Sequence, residues 1–101
     1  MIQDVFAALS DPNRRAILHL LGQHTMSAGE IATHFTLAKS TLSSHFNVLK
    51  RTGLILEEKN GTTVYYSLNM SVLEEALATF MTMLGTGNRA DTGKRDEDKL
   101  A

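Results

Sequence analysis

Apolar residues recur at three- and four-residue intervals along most of this chain, and that interval breaks between residues 54 and 68 and again beyond residue 85. The interval predicts helices. Ile2, Val5, Phe6 and Leu9 mark a short first one. Ser10 or Asp11 can cap the second, Pro12 suits its first turn, and Ile17, Leu18, Leu20 and Leu21 form its buried stripe as far as Gly22. Ser27-x-x-Glu30 has the spacing of a capping box, in which each side chain satisfies a free backbone N–H of the other residue. Ile31, Ala32 and Phe35 then face inward. A further helix is expected from Lys39 to Thr52, closed by Gly53. Ala38 precedes it where a capping Ser or Asp would be worth about 1 kcal/mol.

The stretch "LILEEKNGTTVYYSL" changes period. Asn60-Gly61 is the strongest short hairpin signal, because a type I′ turn needs positive φ at both central residues. A two-residue loop there pairs Lys59 with Thr62, Glu57 with Val64 and Ile55 with Tyr66. Tyr65 and Tyr66 alternate across the strand, so one of them packs inward. Helical spacing returns in "SVLEEALATFMTML", with Leu73, Leu77, Phe80 and Leu84 on one stripe and Val72, Ala76, Met81 and Met83 widening it. Such a stripe is too broad for a terminal helix that packs on one side only. Beyond Gly85 the chain is polar, charged and without periodicity, which predicts a disordered tail over 86–101.

The helix from Lys39 carries an odd outer face. Leu42, Phe46 and Leu49 recur at i, i+4, i+7, but Ser40, Thr41, Ser43 and Ser44 lie among them. Hydroxyl side chains compete with the backbone for hydrogen bonds and lower helix propensity. With Leu42 at 0° and 100° per residue, Phe46, Leu49 and Gly53 fall within about 40° of it. Ser40, Ser44, Asn47 and Arg51 fall between about 140° and 200°, flanked by Thr41 and Ser43. An ordinary surface helix would carry Glu and Lys there. Short donors and acceptors suit a helix whose outer face lies against base edges, which they can reach without bulk.

Charge sharpens the picture only locally. The net charge is −1, yet no acidic residue occurs from Ile31 to Leu56, where Lys39, Lys50 and Arg51 lie with His45. Phosphate attraction follows the local field more than the sum. The 101 residues suit one small domain, and the absence of Cys excludes disulfides and thiolate metal sites. No apolar run approaches the ~18 residues of a membrane span, and the N-terminus lacks the basic region of a signal peptide. A soluble cytoplasmic protein is expected, without membrane insertion.

Helix, short turn, polar-faced helix and hairpin, in that order, make a winged helix-turn-helix. Here the sequence resembles the ArsR/SmtB family of bacterial repressors, most closely its metal-independent, Sdp-type autorepressor branch. The matching pieces are "LSDPNRRAILHLL", "MSAGEIATHF", "STLSSHFNVLKRTGLI" and "NGTTVYYSLN", in register. The resemblance implies a mainly α fold with a small β-hairpin wing, dimeric through its first and last helices. It assigns base reading in the major groove to Ser40, Thr41, Ser43, Ser44 and Asn47. Lys39, His45, Lys50 and Arg51 would meet phosphates, with bracing of the helix the other role open to His45, at about 300°. The wing tip would be Lys59, Asn60, Gly61 and Thr62. Two departures matter: Lys59 stands alone beside Glu57 and Glu58, and Thr36 replaces the usual Asn or Gly of the turn.

In the dimer that the resemblance implies, Ile2, Val5, Phe6 and Leu9 meet Leu73, Leu77, Phe80, Met81 and Leu84 of the other chain. Residues 1–85 would then be the DNA-binding and dimerisation domain, and the partners a double-stranded DNA operator and a second copy. The family's thiolate metal site is absent for want of Cys, and the last helix offers only Glu74 and Glu75, which point about 100° apart. No metal and no cofactor are therefore expected. Arg14 and Arg15 read as solvated, one within reach of Asp11. With no nucleophile–base pair and no Gly-rich phosphate loop, the chain is not expected to be an enzyme. Two other readings stay open: a protein-interaction module on the same scaffold, and a His/carboxylate metal or small-ligand sensor.

Overall fold

Every structural element begins or ends at a residue whose chemistry explains it. The computed structural model describes residues 2–85, apart from the side chain of Ile2. The expected tail over 86–101 and the interface role of Ile2 lie outside the described residues. In chain order the elements are α1 (Ile2–Leu9), α2 (Pro12–Leu21), β1 (Met26–Ser27), α3 (Ala28–Ala32), α4 (Lys39–Arg51), β2 (Ile55–Asn60), β3 (Thr63–Leu68) and α5 (Met70–Met83). The described residues fall into two compact units, 2–70 and 71–85.

In the first unit Asp11, not Ser10, caps α2: its Oδ1 accepts from the backbone N–H groups of Asn13 at 2.8 Å and Arg14 at 3.1 Å. Pro12 occupies the first turn. The capping box is present in full. Glu30 N–H donates to Ser27 Oγ at 3.0 Å, and Ser27 N–H to Glu30 Oε1 at 2.8 Å. Ile31 is fully buried. Ala32, expected inside, is exposed and Phe35 only half-buried, because α3 stops at Ala32 and the chain turns away.

Ala38 makes no side-chain cap, as its methyl dictates. The other end of α4 is tightly closed. Gly53 adopts φ 84, and the N–H groups of Gly53 and Leu54 donate to Lys50 O at 3.0 Å and Leu49 O at 3.1 Å. This is the Schellman pattern, with Leu49 and Leu54 both fully buried beside it. α2 packs on α4 and β3, and α4 on β2. Ile17, Leu42, Phe46 and Tyr66 complete a core in which the rings of Phe46 and Tyr66 lie 4.6 Å apart, tilted by 31°.

The sheet differs from the expected hairpin in two ways. It has three antiparallel strands in the order β1-β3-β2, because Met26 and Ser27 pair with Tyr66 and Tyr65. The register is also two residues longer than expected: Asn60 pairs with Thr63, Lys59 with Val64, Glu57 with Tyr66 and Ile55 with Leu68. The loop is Gly61-Thr62, with Gly61 at φ 65 and no other residue type at positive φ. A type II′ turn needs positive φ only at its first central residue, the place that Gly61 takes here. A shift of two preserves every side chain's face, so Tyr66 still packs inward.

In the second unit α5 ends at Gly85, φ 79, whose N–H donates to Thr82 O at 2.9 Å. Ala76 is buried, whereas Leu77, Phe80, Met81, Met83 and Leu84 are all exposed. Relative to Leu73 at 0°, Leu84, Leu77 and Met81 lie between about 20° and 80°, and Ala76 at about −60°. The helix thus carries one covered side and one apolar side open to solvent.

Candidate nucleic-acid interface

Helix geometry puts the hydroxyl face of α4 where its spacing predicted. Leu42, Phe46 and Leu49 are buried, and Ser40, Thr41, Ser43, Ser44 and Asn47 are all exposed. Among the described residues none of these five side chains makes a hydrogen bond within the protein. Their donors and acceptors are uncommitted, although a serine in a helix can readily bond back to a carbonyl of the preceding turn. Lys39 and Arg51 are exposed at the two ends of the helix, Arg51 on the hydroxyl face and Lys39 at about 60° from Leu42.

The other two side chains expected on phosphates are engaged. Lys50 Nζ lies 3.3 Å from Glu57 Oε2 on β2, where it is half-buried. His45 is turned inward, its side chain only 12% exposed, between Arg14 and Asp11. The geometry corrects its assignment as a phosphate ligand and favours the bracing role. Arg14 of α2 and the capping Asp11 flank the imidazole.

Arg14 and Arg15 are likewise not simply solvated. Arg14 Nε donates to Ala8 O at 2.7 Å and Arg15 Nη1 to Leu9 O at 2.8 Å. α1 has no basic residue in its own last turn, so two cations from α2 satisfy its terminal carbonyls. The pairing spans six residues in the chain and could have been sought in the Asp-Pro-x-Arg-Arg run. Asp11 is desolvated, which opposes ionisation, but its two backbone hydrogen bonds and the nearby His45 and Arg14 hold its carboxyl below the usual range.

Glu57 links the helix to the wing. Its Oε2 meets Lys50 and also accepts from the Tyr66 hydroxyl at 3.3 Å. Half of the acidic pair beside the wing tip is thereby tied to a reader-helix cation. Lys59, Asn60, Gly61 and Thr62 are exposed at the tip. Burial, reinforced by the Glu57 carboxylate, pushes the Tyr66 phenol up to about 12. The unfolded phenol ionises near 10 and the folded one does not, so this group's contribution to stability is complete below pH 10 and is lost as pH rises toward 12. Chemical denaturation of Tyr66→Phe should show a shallower loss of stability across that window than the parent. Parallel curves would remove Tyr66 as the cause.

Val5, expected at a dimer interface, is already buried within the single chain, and Phe6, Leu9 and Leu73 are half-buried. Among the described residues the exposed large hydrophobics lie mainly on α5. Among the described residues no group of three or more His, Cys, Asp or Glu could hold a metal ion, and no helix is long and apolar enough to cross a membrane.

Comparison with known proteins gives the same geometry a lineage. A helix-turn-helix domain model matches residues 9–58. The transcriptional repressor SdpR of Bacillus subtilis (strain 168) is 40% identical over 87 residues, covering 86% of this chain and 97% of the relative. An ArsR-like transcriptional regulator from Rhodococcus sp. RHA1 superposes with a TM-score of 0.73 at 29% identity, over 99% of this chain and 92% of the other. A crystal structure described as a possible transcriptional regulator for arsenical resistance gives 0.70 at 30% identity, over 76% and 80%. The four matched segments, the three-stranded wing and these relatives agree: the chain belongs to the ArsR/SmtB family of winged helix-turn-helix proteins.

Proposed function

We propose that the protein is a sequence-specific DNA-binding transcriptional repressor that acts as a homodimer on a pseudo-palindromic operator. The observation that carries this reading is the uncommitted hydroxyl and amide face of α4, exposed and free of acidic residues. Ser40, Thr41, Ser43, Ser44 and Asn47 read base edges in the major groove, and Lys39 and Arg51 fix the helix on phosphates. The wing tip, Lys59 to Thr62, meets the flanking backbone. Residues 1–85 serve as the DNA-binding and dimerisation domain. The reading agrees with the role of SdpR, a transcriptional repressor, and the protein acts in the compartment that holds the chromosome. Operator occlusion, including of its own promoter, is the simplest mode of repression for a small DNA-binding dimer.

Salt dependence tests the phosphate assignments. Removing one phosphate ligand should flatten the slope of log affinity against log salt by about one unit. Lys39→Ala should have that full effect, because among the described residues Lys39 has no ion-pair partner. Lys50→Ala should change the slope by less, since Glu57 already neutralises much of that ammonium. Band-shift titrations at several salt concentrations provide the comparison. Equal slopes for parent and Lys39→Ala would remove Lys39 from the interface.

A further inference from the structure

Apolar packing through Leu42, Phe46 and Leu49 decides which side of α4 faces inward, and directional contacts fix the last few degrees of its roll. Its N-terminus adds no restraint, since Ala38 forms no side-chain cap. Directional side-chain interactions leave α4 from two flanks of the buried stripe. Lys50, at about 80° from Leu42, reaches Glu57 on the wing, and His45, at about 300°, reaches α2.

The bond to His45 is specific in its chemistry. A guanidinium can only donate, so Arg14 Nη1, 3.3 Å from His45 Nδ1, makes that nitrogen the acceptor. The ring proton of the neutral imidazole then sits on Nε2, facing Asp11 Oδ1 at 3.9 Å. The same guanidinium donates through Nε to Ala8 O at 2.7 Å and through Nη2 to Ala7 O at 3.2 Å, in the last turn of α1. One planar fork therefore joins three helices: the end of α1, the capped start of α2, and the middle of α4. Lysine could not reproduce this, because its ammonium is a single point that cannot hold separate acceptors in a fixed plane.

We propose that Arg14 and His45 are positioning residues for base reading: together they set the roll of α4, and so the angle at which Ser40, Ser44 and Asn47 meet the base edges. The inference rests on the reader-helix assignment above. Neither side chain touches DNA. Bidentate and short-range base contacts tolerate little misplacement, whereas phosphate contacts through Lys39 and Arg51, on long flexible side chains, tolerate a few degrees of roll. Disruption of the fork should therefore lower discrimination between sequences more than it lowers attraction to DNA as such.

The experiment uses the full chain and two duplexes of equal length: one selected from a random pool by the parent protein, and a scrambled version of it. His45→Leu and Arg14→Lys should each weaken binding to the selected duplex about tenfold, the scale of one impaired base contact, with affinity for the scrambled duplex unchanged. His45→Asn should recover most of that affinity, because its Oδ1 stands near the place of Nδ1 and accepts from Arg14. A general decrease in folded protein would lower binding to both duplexes alike and would not be rescued so selectively. If His45→Leu does not fold, Arg14→Lys supplies the same comparison. Unchanged discrimination in the folded variants, or equal weakening on both duplexes, overturns the positioning role while leaving α4 as reader. A parent protein that selects no sequence overturns the reader assignment itself, and this inference with it.

Discussion

Ser44→Glu is expected to abolish selective operator binding while leaving the protein folded. Ser44 is exposed in the middle of α4, with its hydroxyl uncommitted and Leu42 and Phe46 buried beneath. Glutamate is a better helix former than serine, so the melting temperature should hold or rise slightly. In the groove the effect reverses. A carboxylate pressed against base acceptors and phosphates would be desolvated with no partner, a penalty of several kcal/mol, or more than about 100-fold in affinity. Ser44→Ala is the informative companion: it removes one neutral hydrogen bond and should cost only about 1 kcal/mol. Band-shift affinity that survives Ser44→Glu would mean that another surface reads the DNA.

Leu77→Glu is expected to convert a dimer to a monomer and to weaken operator binding by about two orders of magnitude. Leu77 is 61% exposed and Leu84 60% exposed on the open side of α5, a larger apolar surface than a lone helix normally leaves in water. A second copy is the occupant that the family resemblance implies. A charge buried at such an interface has no counter-ion, which opposes association strongly. With the two chains separated, each half-site must be bound independently and the advantage of linked binding disappears. Sedimentation of parent and variant measures the first effect and operator titration the second. A variant that remains dimeric would move the interface away from α5.

Much of the fold was legible in the chain itself, and the misses share one cause. Helix boundaries followed from local chemistry: Asp11 ahead of Pro12, Ser27 with Glu30, Gly53 after Thr52. The buried and exposed sides of α4 followed from 3.6-residue periodicity alone. Local sequence leaves three features undecided: two depend on partners far away in sequence, and the hairpin register on which residue of one pair takes positive φ. β1 is only Met26 and Ser27, too short for any periodicity, and exists because β3 lies beside it. The hairpin register turned on whether Asn60 or only Gly61 adopts positive φ, a choice the Asn-Gly pair leaves open. The inward turn of His45 needed Arg14, 31 residues away. Its position at the edge of the apolar stripe allowed both a phosphate ligand and a brace, and only the fold decides between them. Val5, expected at a dimer interface, is already covered within the single chain. Helical spacing marks a buried side without saying whether the same chain or another covers it.

The proposed repressor function depends on the outer face of α4 lying in the groove of a duplex. Backbone amide resonances of the isotopically labelled chain, followed during titration with the selected duplex, report on that placement residue by residue. The largest shifts should cluster at Ser40, Thr41, Ser43, Ser44 and Asn47, with smaller ones at Lys59 to Thr62. Saturable binding that leaves those five resonances in place and moves others instead would contradict it.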